Sequence, residues 1–167
     1  MNADFDDILE ANARYAETFS LRGLAAPAAK QLGVLTCIDS RIEPLMMLGI
    51  EPGDAKIFRN AGARVTRDVE RTLAIASHLL DVRRIMVVAH TDCAMAVDDD
   101  ELRARIMAAN PGAAIDSLEL HAATHDPLST LRGDVERLRS SRLLAPGTEV
   151  GAFRYDVDTG LLEQIKV

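Results

Sequence analysis

Arg84-Ile85-Met86-Val87-Val88-Ala89-His90-Thr91-Asp92-Cys93 is the stretch that decides the fold. The unbroken apolar run from Ile85 to Ala89 is rich in β-branched residues and too short for a buried helix, which is the pattern of a strand covered on both faces. Upstream, Thr66 is a suitable N-cap with Asp68 in the first turn. Val69, Leu73, Ala76 and Leu80 then recur at helical steps, which predicts a helix over 66–80. Before that helix, Ala55-Lys56-Ile57-Phe58-Arg59-Asn60 reads as a strand bounded by Pro52-Gly53 and Gly62. Strand, helix and strand in succession make a βαβ crossover. Such units place the loops that follow parallel strands on one edge of the sheet, where α/β proteins bind their ligands.

Working outward, Gly33-Val34-Leu35-Thr36-Cys37 is a further short strand, expected like Ala55–Asn60 to be buried. Residues 4–19 place Phe5, Ile8, Leu9, Tyr15, Ala16 and Phe19 at helical spacing, so an amphipathic helix precedes the core and ends near Gly23 and Pro27. On the far side, Asp98 to Asp100 can cap a helix carrying Leu102, Ile106 and Met107. Asp126-Pro127 opens another through Leu128, Leu131, Val135 and Leu138. The tail alternates from Glu149 to Val157, turns at Asp158-Thr159-Gly160 and continues through Leu162 and Ile165, which predicts a last strand or hairpin. The expected fold is α/β, a central mostly parallel β-sheet flanked by helices. No repeat or linker divides it, so residues 1–167 form one domain.

Composition narrows the function. The chain has 167 residues, 48% of them apolar, enough to bury a core. A formal net charge of -7, with 19 basic residues scattered among 26 acidic ones, argues against nucleic acid as a partner. No apolar run reaches the length of a membrane span, and the acidic start at Asp4, Asp6 and Asp7 is unlike a signal peptide; a soluble cytoplasmic protein is expected. Neither a Walker loop nor a GxGxxG occurs.

Both cysteines of the chain lie at strand ends, in Cys37-Ile38-Asp39-Ser40-Arg41 and in His90-Thr91-Asp92-Cys93. Two thiolates and an imidazole supply three of the four positions of a tetrahedral zinc site, and Asp39 with Arg41 adds a carboxylate held by a guanidinium. Other readings stay open from spacing alone. The cysteines could be core residues or a disulfide, and Asp39 with Arg41 an ordinary surface ion pair. Ser40 lacks the Gly-x-Ser-x-Gly context of a nucleophile. His121 and His125, four residues apart, read as solvated or structural, His78 as a core or interface residue, and Asp98-Asp99-Asp100-Glu101 as a helix start.

In order and spacing, the two clusters together with Gly53-Asp54-Ala55 and Arg59-Asn60-Ala61-Gly62-Ala63 resemble the β-class carbonic anhydrases, most of all their short archaeal and actinobacterial branch. The resemblance runs from the N-terminal helix to Tyr155-Asp156-Val157-Asp158-Thr159-Gly160-Leu161. It implies zinc (Zn2+) held by Cys37, His90 and Cys93, a catalytic pair of Asp39 and Arg41, substrate-side backbone at Ala61 and Gly62, and Asp39 as a switchable fourth ligand. It also implies a lyase that hydrates carbon dioxide reversibly to bicarbonate and a proton. The unit would be a homodimer at least, with the N-terminal helix packed across a partner subunit.

Two departures stand out. Family members usually follow the second cysteine with glycine, where this chain has Ala94; an alanine there is nearly free at negative φ and costs roughly 1–2 kcal/mol at positive φ. Negative φ or a slightly shifted loop is expected. The chain also has no tryptophan, so a bicarbonate pocket built around one in some relatives cannot form in the same way. Two rival functions remain: hydrolysis of carbonyl sulfide or carbon disulfide on the same zinc, and a silent zinc-stabilised binding or regulatory module.

Overall fold

The computed structural model describes residues 4–115, 120 and 126–167. His121 and His125 lie outside the described residues. Five strands, β1 (Leu32–Cys37), β2 (Ala55–Asn60), β3 (Arg84–His90), β4 (Glu149–Tyr155) and β5 (Leu162–Ile165), form one sheet in the order β2-β1-β3-β4-β5. The first four run parallel, and β5 closes the sheet as the antiparallel arm of a hairpin with β4. Among the described residues five α-helices accompany them: α1 (Asp6–Glu17), α2 (Pro44–Leu48), α3 (Arg67–Leu79), α4 (Asp99–Ala109) and α5 (Pro127–Ser140). The expected α/β architecture is present.

Local chemistry sets the boundaries. The hydroxyl of Thr66 accepts from the Val69 amide at 3.3 Å, Asp98 accepts from Glu101 at 2.7 Å and Asp126 from Ser129 at 3.0 Å, so α3, α4 and α5 each start on a side-chain cap. Helix α2 has no counterpart in the sequence reading; its five residues are too few to show a period, and its one signal is Pro44 in the first turn.

Alternation along β1 divides the core. Leu35 joins Val87, Leu73, Val135 and Leu138 between the sheet and helices α3 and α5, whereas Val34 joins Val88 on the opposite face. That second face is thinly covered: Ile57, Met86 and Phe153 are only half-buried there.

The structure corrects one expectation and refines two. Strand β2 is an edge strand and half-buried rather than buried. The crossover through α3 skips a strand, because β1 lies between β2 and β3. His78 is exposed and bonds through Nε2 to the Leu143 carbonyl at 3.1 Å, which removes the core reading and leaves the interface one. Helix α1 buries none of its residues against its own chain and leaves Phe5, Ile8, Leu9, Tyr15 and Phe19 on and beside it exposed.

Leu35 is fully buried at the centre of the larger cluster. Leu35→Ala should lower the stability measured by urea unfolding by about 3 kcal/mol, whereas exposed Met46→Ala should stay within about 0.5 kcal/mol.

Candidate metal centre

The parallel register sets Cys37 beside Asn60 and His90 beside Tyr155, so four strands end on one edge. There the chain after β1 is held by its neighbour strand. The Ile38 amide donates to the Asn60 carbonyl at 3.1 Å, and Arg59 donates through Nε to the Cys37 carbonyl at 3.0 Å and through Nη2 to the Asp39 carbonyl at 2.7 Å. The loop after β3 is tied to the tail: the Thr91 amide donates to the Tyr155 carbonyl at 3.0 Å, and the Val157 amide to the Thr91 hydroxyl at 3.1 Å. Asp156 in turn accepts from the amides of Asp158 and Thr159, which fixes the tail turn.

These braces bring the Sγ atoms of Cys37 and Cys93 to 3.9 Å, and all three ligand atoms of Cys37, His90 and Cys93 lie within 4.8 Å of one another. Both cysteines are free thiols, since a disulfide needs sulfurs about 2 Å apart. The imidazole is oriented for coordination. Nδ1 bonds to the Thr91 carbonyl at 2.9 Å and therefore carries the hydrogen, leaving a lone pair on Nε2. That Nε2 is buried and, among the described residues, has no hydrogen-bond partner. A buried unpaired acceptor is costly unless something occupies it, and two thiols beside it complete a cation-binding donor set.

Electrostatics agree with a cation. Donation from Cys93 lowers the pKa of Cys37 against the opposing effect of burial, and the Gly62 amide, 3.3 Å from Sγ, stabilises the same thiolate. The same contact with Cys37, and then burial, raises Cys93. The pair thus shares one proton that a divalent cation would displace.

Beside the thiols, Arg41 grips Asp39 with both ends of its fork, Nε to Oδ1 at 3.0 Å and Nη2 to Oδ2 at 2.8 Å, while its amide donates to Oδ1 at 2.9 Å. Donation from the guanidinium and then from the amide holds Asp39 well below the usual carboxylate range. It is therefore ionised at every working pH. Any stability it contributes is present above the ordinary carboxylate pKa and lost only in strong acid.

The family profile described as carbonic anhydrase matches residues 32–129. A β-carbonic anhydrase from Mycobacterium tuberculosis is 34% identical over 160 residues, 96% of this chain and 96% of that protein. This chain belongs to the β-carbonic anhydrase family. A carbonic anhydrase from Streptococcus mutans has the same fold with a TM-score of 0.90 at 31% identity, covering 99% of this chain and 100% of the other. A carbon disulfide hydrolase from Saccharolobus solfataricus is 42% identical over 80 residues, 47% of this chain and 39% of that protein.

Within this β-carbonic anhydrase, one expectation concerns the residue after Cys93. Ala94 is not among the described residues with positive φ; Asp92 takes the left-handed conformation in that turn, at φ 50. The methyl of Ala94 is therefore tolerated without strain. The turn after β2 is left-handed at Gly62 (φ 74) and Ala63 (φ 56), and the Asn60 side chain spans it, accepting from the Arg64 amide at 2.8 Å and donating to the Arg64 carbonyl at 2.7 Å. This turn is what points the Gly62 amide at Cys37.

A narrow cavity of about 20 Å³ adjoins the centre, lined by Gly62, Ala89, His90, Cys93 and Leu131 and also by Arg64 and Asp134. Arg64 donates through Nε to Asp134 at 2.7 Å, and the same carboxylate oxygen accepts from the Val65 amide at 3.1 Å. Sequence reasoning assigned no part to Arg59, Arg64, Asp92 or Asp134. Arg59 and Asp92 stood inside quoted motifs; Asp134 had no signal beyond being a polar residue on the apolar stripe of α5.

Removing the Asp134 carboxylate takes a charge-assisted hydrogen bond from the Arg64 guanidinium and leaves the Val65 amide without its acceptor. Asp134→Ala should cost about 3 kcal/mol in urea unfolding, and Asp134→Asn less, because an acceptor remains.

Proposed function

We propose that this chain catalyses the zinc-dependent, reversible hydration of carbon dioxide to bicarbonate and a proton, as a single domain spanning residues 1–167. The carrying observation is the unpaired buried Nε2 of His90 between two thiols, with an arginine-held carboxylate beside them. Cys37, His90 and Cys93 would hold the metal, and thiolates with imidazole suit zinc. Zinc so bound would supply the hydroxide for the reaction by lowering the pKa of water.

Every other task falls to side chains. Asp39, ionised and fixed by Arg41, accepts a hydrogen bond from the attacking oxygen and so aims its lone pair at carbon. Arg41 keeps that carboxylate from becoming a fourth ligand. Ala61 and Gly62 supply the substrate-side backbone, with the Gly62 amide already committed to the Cys37 sulfur. Two thiolates neutralise the formal charge of Zn2+, so water is acidified less than by three imidazoles and activity should favour alkaline pH.

The assembly proposed is a homodimer at least, because Phe5, Ile8, Leu9 and Tyr15 are left exposed on α1 and the outer sheet face is thinly covered. A cytoplasmic location accompanies this reading; no described helix is long and apolar enough to cross a membrane. The net charge of -7 disfavours nucleic acid. Hydrolysis of carbon disulfide is the second reading, favoured by the 42% identity to a carbon disulfide hydrolase over 80 residues.

Stopped-flow assays on metal-quantified protein should find about one zinc per chain and carbon dioxide hydration rising from neutral to alkaline pH, with Cys93→Ser losing most of the metal. Hydrolysis of carbon disulfide without hydration of carbon dioxide would favour the second reading. Light scattering should give a dimer or larger, and Ile8→Glu with Leu9→Glu should dissociate it; a fully active monomer would refute the assembly.

A further inference from the structure

We propose that Asp92 is a positioning residue that fixes Arg41, and through it Asp39, in the arrangement that keeps the fourth metal position open. The inference rests on the carbon dioxide reading only for its kinetic arm.

The guanidinium of Arg41 is shared between two acidic residues. Nε and Nη2 take Asp39, as described, while Nη1 donates to the Asp92 carboxylate at 2.7 Å and Nη2 donates to the Asp92 carbonyl at 2.8 Å. The two partners use different edges of one planar fork, so they do not compete for the same hydrogens. Arg41 is therefore held on both sides, by Asp39 on one edge and by Asp92 on the other.

Backbone conformation makes this grip feasible. Asp92 has φ 50, a region open to aspartate more readily than to most side chains, and that turn presents its carbonyl and its carboxylate to the same guanidinium. Asp92 immediately precedes Cys93, while Arg41 follows Cys37 by four residues. The clamp thus joins the two loops that carry the ligands.

Exposure indicates what the clamp is for. The Asp92 side chain is 78% exposed, and an ion pair in that setting adds little to folding stability. Its consequence is orientational. With Asp92 in place, a carboxylate leaving Arg41 for the metal must abandon a guanidinium that cannot follow it. Without Asp92, Arg41 pivots with Asp39, and the carboxylate reaches the metal more often.

The test compares wild type, Asp92→Asn, Asp92→Gly, Arg41→Ala and the Asp92→Gly/Arg41→Ala double variant as full-length, metal-loaded protein. Glycine keeps the left-handed turn and removes the acceptor; asparagine keeps both the turn and an uncharged acceptor. With zinc, Asp92→Gly should lower kcat for carbon dioxide about tenfold and leave KM within about twofold, and Asp92→Asn should fall only about threefold, the scale of losing or weakening one charge-assisted hydrogen bond. Metal content and Tm should match wild type. The double variant should be no worse than Arg41→Ala, because Asp92 acts through Arg41.

With cobalt, the visible d–d bands of Asp92→Gly should shift toward those of Arg41→Ala, reporting a changed fourth ligand. Additive losses in the double variant, or an Asp92→Gly spectrum identical to wild type, would overturn the clamp. Should wild type prove unable to hydrate carbon dioxide, the proposed function fails and the cobalt series alone decides the clamp.

Discussion

Parallel pairing of β1 with β3 is the constraint on which the centre depends. The register runs from Leu32 opposite Arg84 to Thr36 opposite Val88, so the loops that follow Cys37 and His90 leave the sheet side by side. Fifty-six positions separate Cys37 from Cys93 in the chain, yet their sulfurs are 3.9 Å apart. A slip of one residue in either strand would turn Cys37 or His90 to the other face of the sheet. The buried valines and leucines on both faces of β1 are what forbid that slip, since it would exchange the two core clusters. The hydrophobic pattern of the strands is thus the first determinant of the candidate centre's geometry.

Arginines supply the second determinant. Arg59 holds the backbone after β1, Arg41 holds the Asp39 carboxylate and spans to Asp92, and Arg64 meets Asp134 at the wall of the adjoining cavity. Arg59 and Arg41 each use a planar fork to fix more than one oxygen atom, in the case of Arg41 from two different segments, a task for which a lysine point charge is unsuited. Their charges also surround a donor set that is anionic when its thiols ionise. An acidic protein therefore concentrates cationic side chains at the one edge where thiolates and carboxylates converge.

The sequence was legible where the controlling physics is local. Strand β3 stood out because Ile85 to Ala89 form an unbroken apolar run, and the starts of α3, α4 and α5 followed from Thr66, Asp98 and Asp126, whose caps act over three residues. The two ligand clusters were visible because their residues are neighbours within each loop. What escaped was non-local or weakly patterned. Strand β2 looks buried from its apolar residues, but its place at the sheet edge depends on strand order. Asp92 meets Arg41 across 51 positions and Asp134 meets Arg64 across 70, and neither spacing leaves a signature in one sequence.

Backbone strain next to the ligands falls on residues other than the one the family comparison singled out. Ala94 replaces the usual glycine without entering the left-handed region, while Asp92 and Ala63 enter it on either side of the centre. Asp92 gains two contacts with Arg41 in exchange, and the turn through Gly62 and Ala63 delivers an amide to the Cys37 sulfur. Unfavourable φ values are thus spent on aiming hydrogen-bonding groups, consistent with strain that persists because surrounding contacts over-determine it. By that argument the glycine usual after the second cysteine is dispensable here: the turn's left-handed step is taken two residues earlier, at a side chain that uses the bend to grip Arg41 and, through it, Asp39.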